Sequence, residues 1–273
     1  MVRDGQRRTA LVTGGGRGLG RAIGERLAAE GVAVGLIART ADEVEAAAGA
    51  IGLGGGRARG FAADVLDREG FGRAVARFVD WAGGCDTLIC AAGRLRSVGP
   101  LVGVDLDDWW LDVSTSLRGA AVATRAAWPA LRASDSASIQ LLIGPGHNGD
   151  LAFAAGYGAA QAGLARLAES LAVEGRADRI AVYALNPGLV PTALTNHLLE
   201  DPEARRWLPR FTEAFAEGKE VGPEVVAEMA VWLAERRPSA LNGRVVSALI
   251  TPEILETRLD RIAVEGLNVL RLR

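Results

Sequence analysis

Short apolar runs alternate along this chain with longer stretches of helical period. Ala10-Leu11-Val12 leads into the glycine-rich stretch Thr13-Gly14-Gly15-Gly16-Arg17-Gly18-Leu19-Gly20. Beyond it Leu19, Ile23 and Leu27 recur every four residues, which predicts a helix with one apolar face that stops at Gly31. Val32 to Ala38 reads as a buried parallel strand. Further strands are predicted to end at Phe61–Val65, to run over Thr87–Cys90, Ala137–Ile143 and Ile180–Leu185, and to begin at Gly243. Between them, Thr40 and Glu43 form a capping box, and Phe71, Val75, Phe78 and Val79 make an apolar stripe. Asp105 to Arg132 reads as one long helix capped by Asp105 or Asp107. Another helix starts near Tyr157, and Pro223 opens one over Val225–Leu233. Residues 193–222 are predicted irregular, with Pro202, Pro209 and the aromatic Trp207, Phe211 and Phe215. They read as a variable lid or as a packed surface helix pair. Strand and helix in alternation predict an α/β fold: one doubly wound domain over residues 1–250, with a parallel sheet of about seven strands and helices on both faces. Residues 251–273 form a tail packed on the same domain or on a neighbouring subunit.

Composition narrows this picture. At 273 residues and 49% hydrophobic, the chain can build a large core without disulfide staples. A formal net charge of −2 argues against a nucleic-acid surface. No run reaches membrane-spanning length and no apolar signal region follows Met1 to Gln6, so a cytoplasmic protein is expected. Cys85 and Cys90 form no C-x-x-C pair and read as reduced thiols. Arginine supplies nearly all the positive charge, and Lys219 is the only lysine. No metal site is assigned.

The chemistry starts at the glycine-rich stretch. Strand, glycine turn, helix and second strand make the first unit of a dinucleotide-binding Rossmann fold. The glycines let the backbone approach a pyrophosphate, to which the helix start offers unpaired N–H groups. The second strand ends Ala38-Arg39-Thr40, without the acid that would bond ribose hydroxyls in an NAD site. Arg39 and Arg17 can instead hold a 2′-phosphate, so NADP(H) is the expected cofactor. The plainer reading is two solvated surface arginines.

The spacing Thr-Gly-x-x-x-Gly-x-Gly at Thr13 to Gly20 resembles the short-chain dehydrogenase/reductase family, and later motifs carry the resemblance from about Thr9 to Ile250. It implies that Gly14, Arg17, Gly18, Leu19 and Gly20 face the cofactor, and that Asp64 and Val65 touch its adenine ring. Cys90-Ala91-Ala92-Gly93 stands where the family usually has Asn-Asn-Ala-Gly. Cys90 and Ala91 replace the two amides, while Ala92 and Gly93 keep the close backbone approach. Pro187, Gly188, Val190 and Thr192 match the segment that holds the nicotinamide carboxamide. The long helix implies a homo-oligomer, a dimer or tetramer, to which Trp109-Trp110 contributes packing or a subunit contact.

At the positions that carry the family's chemistry, the sequence departs from it. Tyr157 matches the proton-transferring tyrosine. Four residues later, where a lysine lowers the phenol pKa and holds the nicotinamide ribose, stands neutral Gln161, able only to hydrogen-bond. Gly144, thirteen residues before the tyrosine, replaces a serine that binds the substrate oxygen, and Ser116 replaces an asparagine on the long helix. An unperturbed tyrosine has a pKa of about 10, so only about one molecule in a thousand is phenolate at pH 7. Without the lysine, Tyr157 is a poor base but a usable acid, and reduction is the expected direction. His147, Asn148 and the N–H groups of Gly144 and Gly146 are candidate replacement donors. A histidine side chain can act as acid or base near neutrality, although the plainer reading of His147 is a solvated loop residue.

Three functions follow. One is an NADP(H)-dependent reductase acting on a carbonyl of an apolar small molecule, with Tyr157 as proton donor. The second is a non-redox cyclase, lyase or isomerase using Tyr157 and His147. The third is a cofactor-binding subunit without turnover. If the ancestral geometry remains, Gln161→Lys with Gly144→Ser is expected to raise reductase activity on generic ketones.

Overall fold

A computed structural model describes residues 8–270; Met1 to Arg7 and the last three residues of the tail lie outside it. Inside the sheet lies β1 (Thr9–Thr13), every residue of which is buried. It pairs in parallel with β2 (Ala33–Ala38) on one side and β4 (Thr87–Cys90) on the other. β3 (Arg57–Ala62) continues one wing, and β5 (Ser138–Leu142), β6 (Ala181–Asn186) and β7 (Arg244–Ser247) continue the other. The seven strands run in the order β3-β2-β1-β4-β5-β6-β7, all parallel. Strand order reverses between β1 and β4, and the carboxyl ends of strands there open a crevice.

Helices cover both faces because the strands are apolar on both. α1 (Gly18–Ala29) and α2 (Ala41–Leu53) precede α3 (Arg68–Ala82), whose Phe71, Val75 and Phe78 are buried as the stripe predicts. Asp67 caps α3 by accepting the Gly70 N–H. The capping box expected at α2 does not form. Thr40 makes no side-chain cap bond, and the Glu43 carboxylate is drawn instead to Arg17, 3.3 Å away.

The long helix expected over Asp105–Arg132 is interrupted. α4 (Leu106–Val113) is capped by Asp105, which accepts the N–H groups of Asp107 and Asp108. A single π-turn over Ser114–Arg118 then leads into α5 (Gly119–Arg132). Such turns bulge a helix and recur at functional sites, and this one carries Ser116. α6 (Ala155–Glu174) follows β5.

Residues 193–222 are not irregular. They hold three short helices, α7 (Ala193–Glu200), α8 (Pro202–Trp207) and α9 (Pro209–Ala216). Proline opens both α8 and α9, where its missing N–H costs nothing. α10 (Pro223–Arg236) packs on α1. The tail contains α11 (Pro252–Glu256) and α12 (Leu259–Glu265), whose Leu255 and Ile262 are buried in the same core cluster as α1 and α10. The described tail therefore packs on its own domain. Beyond α12, the Asn268 carbonyl accepts the β7 backbone N–H of Val245 at 2.8 Å. Among the described residues no helix is long and apolar enough to cross a membrane.

Candidate active site

One cleft of about 1110 Å³ runs across the carboxyl ends of the strands. Its floor is the β1–α1 turn. Gly14 has φ +66, and a side chain there would press on the Ala91 backbone at 3.0 Å, so only glycine lets the turn lie against the end of β4. Thr13 ties the same two strand ends together, its hydroxyl accepting the N–H groups of Ala91 and Ala92 at 3.1 and 3.2 Å. Arg17 precedes α1 without a side-chain cap, and no acid occupies the first turn. The N–H groups around Gly18, Leu19 and Gly20 are thus left for a ligand anion.

Arg39, Asp64 and Val65 line one end of the cleft. Arg39 is exposed and makes no ion pair among the described residues, whereas Arg17 is held by Glu43. Asp64 also closes its own turn by accepting the Leu66 N–H at 2.8 Å. Ala92 and Gly93 line the middle. Cys90 does not. As the last residue of β4 it points to the helix side, where its thiol lies among core side chains under α5 and burial pushes its pKa up to about 12. Cys90 is therefore a core residue whose thiol does not line the cleft. Pro187, Gly188, Val190 and Thr192 line the far wall; Gly188 has φ +74, and Thr192 caps α7.

Ser116, Gly144, His147, Tyr157 and Gln161 meet at the end of the cleft nearest α7–α9. Gln161 is almost fully buried, and its Oε1 accepts the Gly144 N–H at 2.8 Å. That N–H can only donate, which fixes the amide orientation and leaves the Gln161 NH2 group as a donor. His147 is also buried, so it is not a solvated loop residue. Its Nδ1 lies 2.8 Å from the Gly144 carbonyl oxygen, an acceptor only. Nδ1 therefore carries a proton and donates it to that carbonyl. Gly144 is clamped from both sides, through its N–H by Gln161 and through its carbonyl by His147.

The missing side chain at 144 has a structural consequence. A Cβ on Gly144 would overlap the Tyr157 hydroxyl and come within 3.1 Å of the carbon that bears it. The phenol thus occupies the space a serine would need, and a Gly144→Ser side chain fits only if the Tyr157 ring shifts. Burial pushes the Tyr157 pKa up to about 12, and the Asp112 carboxylate adds to the rise. Ser116 is buried, and its hydroxyl has no hydrogen-bond partner among the described residues. Leu95, Leu194, Leu198, Leu208 and Phe211 pack with Tyr157 into a small apolar cluster. Phe153, at φ +65, stacks obliquely on Trp207 with ring centroids 4.7 Å apart.

The loop after Gly93 carries cleft-lining residues that sequence reasoning missed. Arg94 lines the cleft and pairs with both Asp108 and Asp112. Asp112 is fully buried and also accepts the N–H groups of Arg96 and Ser97 at 2.9 and 2.8 Å. The available signal was an acid on the same helical face as Trp109, Val113 and Ser116, a place where an apolar residue is the rule.

Comparison with known proteins agrees with this architecture. The family model described as short chain dehydrogenase matches residues 8–203. The chain is 32% identical over 243 residues to the short-chain reductase protein NovJ of Streptomyces niveus, covering 88% of this chain and 92% of that one. It is 28% identical over 236 residues to meso-2,3-butanediol dehydrogenase of Serratia marcescens, covering 86% and 90%. Among solved structures, an actinorhodin polyketide ketoreductase with NADPH superposes with a TM-score of 0.80 at 26% identity, covering 88% of this chain and 95% of that one.

Proposed function

The chain belongs to the short-chain dehydrogenase/reductase family of oxidoreductases, and from that premise we propose that it is an NADP(H)-dependent reductase acting on a carbonyl of an apolar small molecule. The observation that carries this reading is the Tyr157 phenol, its pKa pushed up to about 12, lining the same cleft as Arg39. In this reading the α1 N-terminus holds the pyrophosphate, Arg39 the 2′-phosphate, and Asp64 and Val65 the adenine side. Pro187 to Thr192 face the nicotinamide carboxamide, and the Gln161 NH2 group donates to a ribose hydroxyl. When bound, the reduced nicotinamide supplies a hydride to the carbonyl carbon. Tyr157 gives its proton to the carbonyl oxygen and is reprotonated from solvent. The raised pKa supports this direction, since a phenol that holds its proton to high pH donates one and abstracts none near neutrality. Trp207, Phe211 and Phe153 support an apolar substrate.

Burial of His147 at the cleft, with Nδ1 anchored on the Gly144 carbonyl, supports a second reading in which Tyr157 and His147 act as an acid–base pair without net redox change. Fluorescence titration with NADPH and NADH, followed by NADPH oxidation against a panel of apolar ketones, separates the two. The reductase reading expects tighter NADPH binding, weakened about tenfold or more in Arg39→Ala, and stoichiometric NADPH oxidation. No NADPH binding at millimolar concentration overturns it.

A further inference from the structure

Among the described residues, Asp112 is the one carboxylate that is fully buried close to the catalytic tyrosine's helix. It lies one turn beyond Trp109 on the same face of α4, and that face touches α6 at Gly156, where an added Cβ would meet the Trp109 carbonyl at 3.0 Å. Gly156 immediately precedes Tyr157. From there Asp112 reaches across to the loop after β4, pairing with Arg94 and accepting two consecutive backbone N–H groups. Between those anchor points sits Leu95, which packs in the same apolar cluster as Tyr157.

We propose that Asp112 is a positioning residue for Tyr157: through Arg94, Arg96 and Ser97 it fixes the wall on which the phenol rests, and it sets a negative charge behind that wall. Two carboxylates, Asp108 and Asp112, share the single Arg94 guanidinium, so Arg94 is not the partner of Asp112 alone. Asp108 is exposed and screened; Asp112 is not. A negative neighbour disfavours phenolate, in agreement with the upward push of Asp112 on Tyr157. His147 and Asp150 from the β5–α6 loop, Arg94 and Arg96 from the β4–α4 loop, and Arg210 from α9 also line this end of the cleft. The family position for a cation is filled by neutral Gln161, and the fully buried charge behind the wall the phenol rests on is a carboxylate. The consequence, a site held in its proton-donating form, rests on the reading of Tyr157 as proton donor; the ionisation of the phenol in the free protein does not.

The chain has two tyrosines. Tyr183 is fully buried in the core and its phenol is pushed up further still, so tyrosinate absorbance at moderately alkaline pH reports Tyr157. Titration of the free protein needs neither cofactor nor substrate, and Tyr157→Phe assigns the signal. At a fixed pH about one unit above the ordinary tyrosine value of about 10, Asp112→Asn is expected to raise the ionised fraction about threefold, a midpoint lower by about half a unit. If Asp112→Asn does not fold, as judged by circular dichroism, Asp108→Asn takes its place. It leaves the whole Arg94 charge to Asp112 and is expected to move the fraction the same way by less. A folded variant whose ionised fraction equals that of the wild type overturns the proposal. A failure of the reductase assays with the titration change intact overturns the reading of function and leaves the positioning role standing.

Discussion

At the scale of single residues, Gly144 matters for what it lacks. Its bare Cα leaves room that the Tyr157 hydroxyl fills, and both of its backbone polar groups are clamped. Gly144→Ser is therefore expected to push the phenol aside and lower NADPH-dependent turnover by about a hundredfold, the cost typical of an ångström-scale misplacement. Steady-state rates with and without Gln161→Lys check this; a gain in activity would contradict it. Two buried thiols, the buried Tyr183 phenol and the half-buried Tyr157 phenol carry a pH signature. Cys90 rises from 9.0 to about 12 and Tyr157 from 10.0 to about 12, while Cys85 and Tyr183 are also raised by burial. Each group holds its proton more tightly folded than unfolded, so its contribution is fully present below its ordinary value and is lost as pH climbs through the folded one. A tenfold difference in proton affinity between the two states is worth about 1.4 kcal/mol. Urea unfolding midpoints are therefore expected to stay flat up to about pH 9 and then fall steadily. A midpoint that holds level to about pH 11 would contradict the burial of these groups.

At the scale of elements, the parts legible in the sequence were those with local causes. Apolar runs gave strands, four-residue spacings gave helices, and a glycine turn between strand and helix marked the cleft floor. What sequence missed depends on contacts across elements. The capping box at Thr40 and Glu43 has the right residues, but Arg17 lies close enough to take the glutamate. Pro202 and Pro209 looked like breakers of structure and are instead the first residues of α8 and α9. Cys90 stands in a cofactor motif by spacing, yet strand alternation turns its thiol into the core. The fit of Tyr157 to Gly144 joins the first turn of α6 to the loop after β5 and has no local signature. The same logic yields a test at α4: Asp105 alone caps it, so Asp105→Ala is expected to cost about 1 kcal/mol in urea unfolding, while Asp107→Ala, which caps nothing, costs less.

At the scale of the whole molecule, the tail is part of the domain. Leu255 and Ile262 are buried against the α1–α10 side of the sheet, and Asn268 covers the edge of β7. Ile262→Ala is expected to cost about 2–4 kcal/mol in urea unfolding without changing NADPH affinity; a neutral effect would show that the tail does not support the fold. Around this frame the proposed reaction uses the Tyr157 phenol as an acid. The most direct test of that claim is the single-turnover rate of NADPH oxidation with a ketone the protein reduces, compared between wild type and Tyr157→Phe from about pH 6 to about pH 9. A protonated phenol as donor predicts a wild-type rate with no ionisation step of Tyr157 in that range, and a loss of about a hundredfold or more in the variant. An unchanged rate in Tyr157→Phe would contradict it.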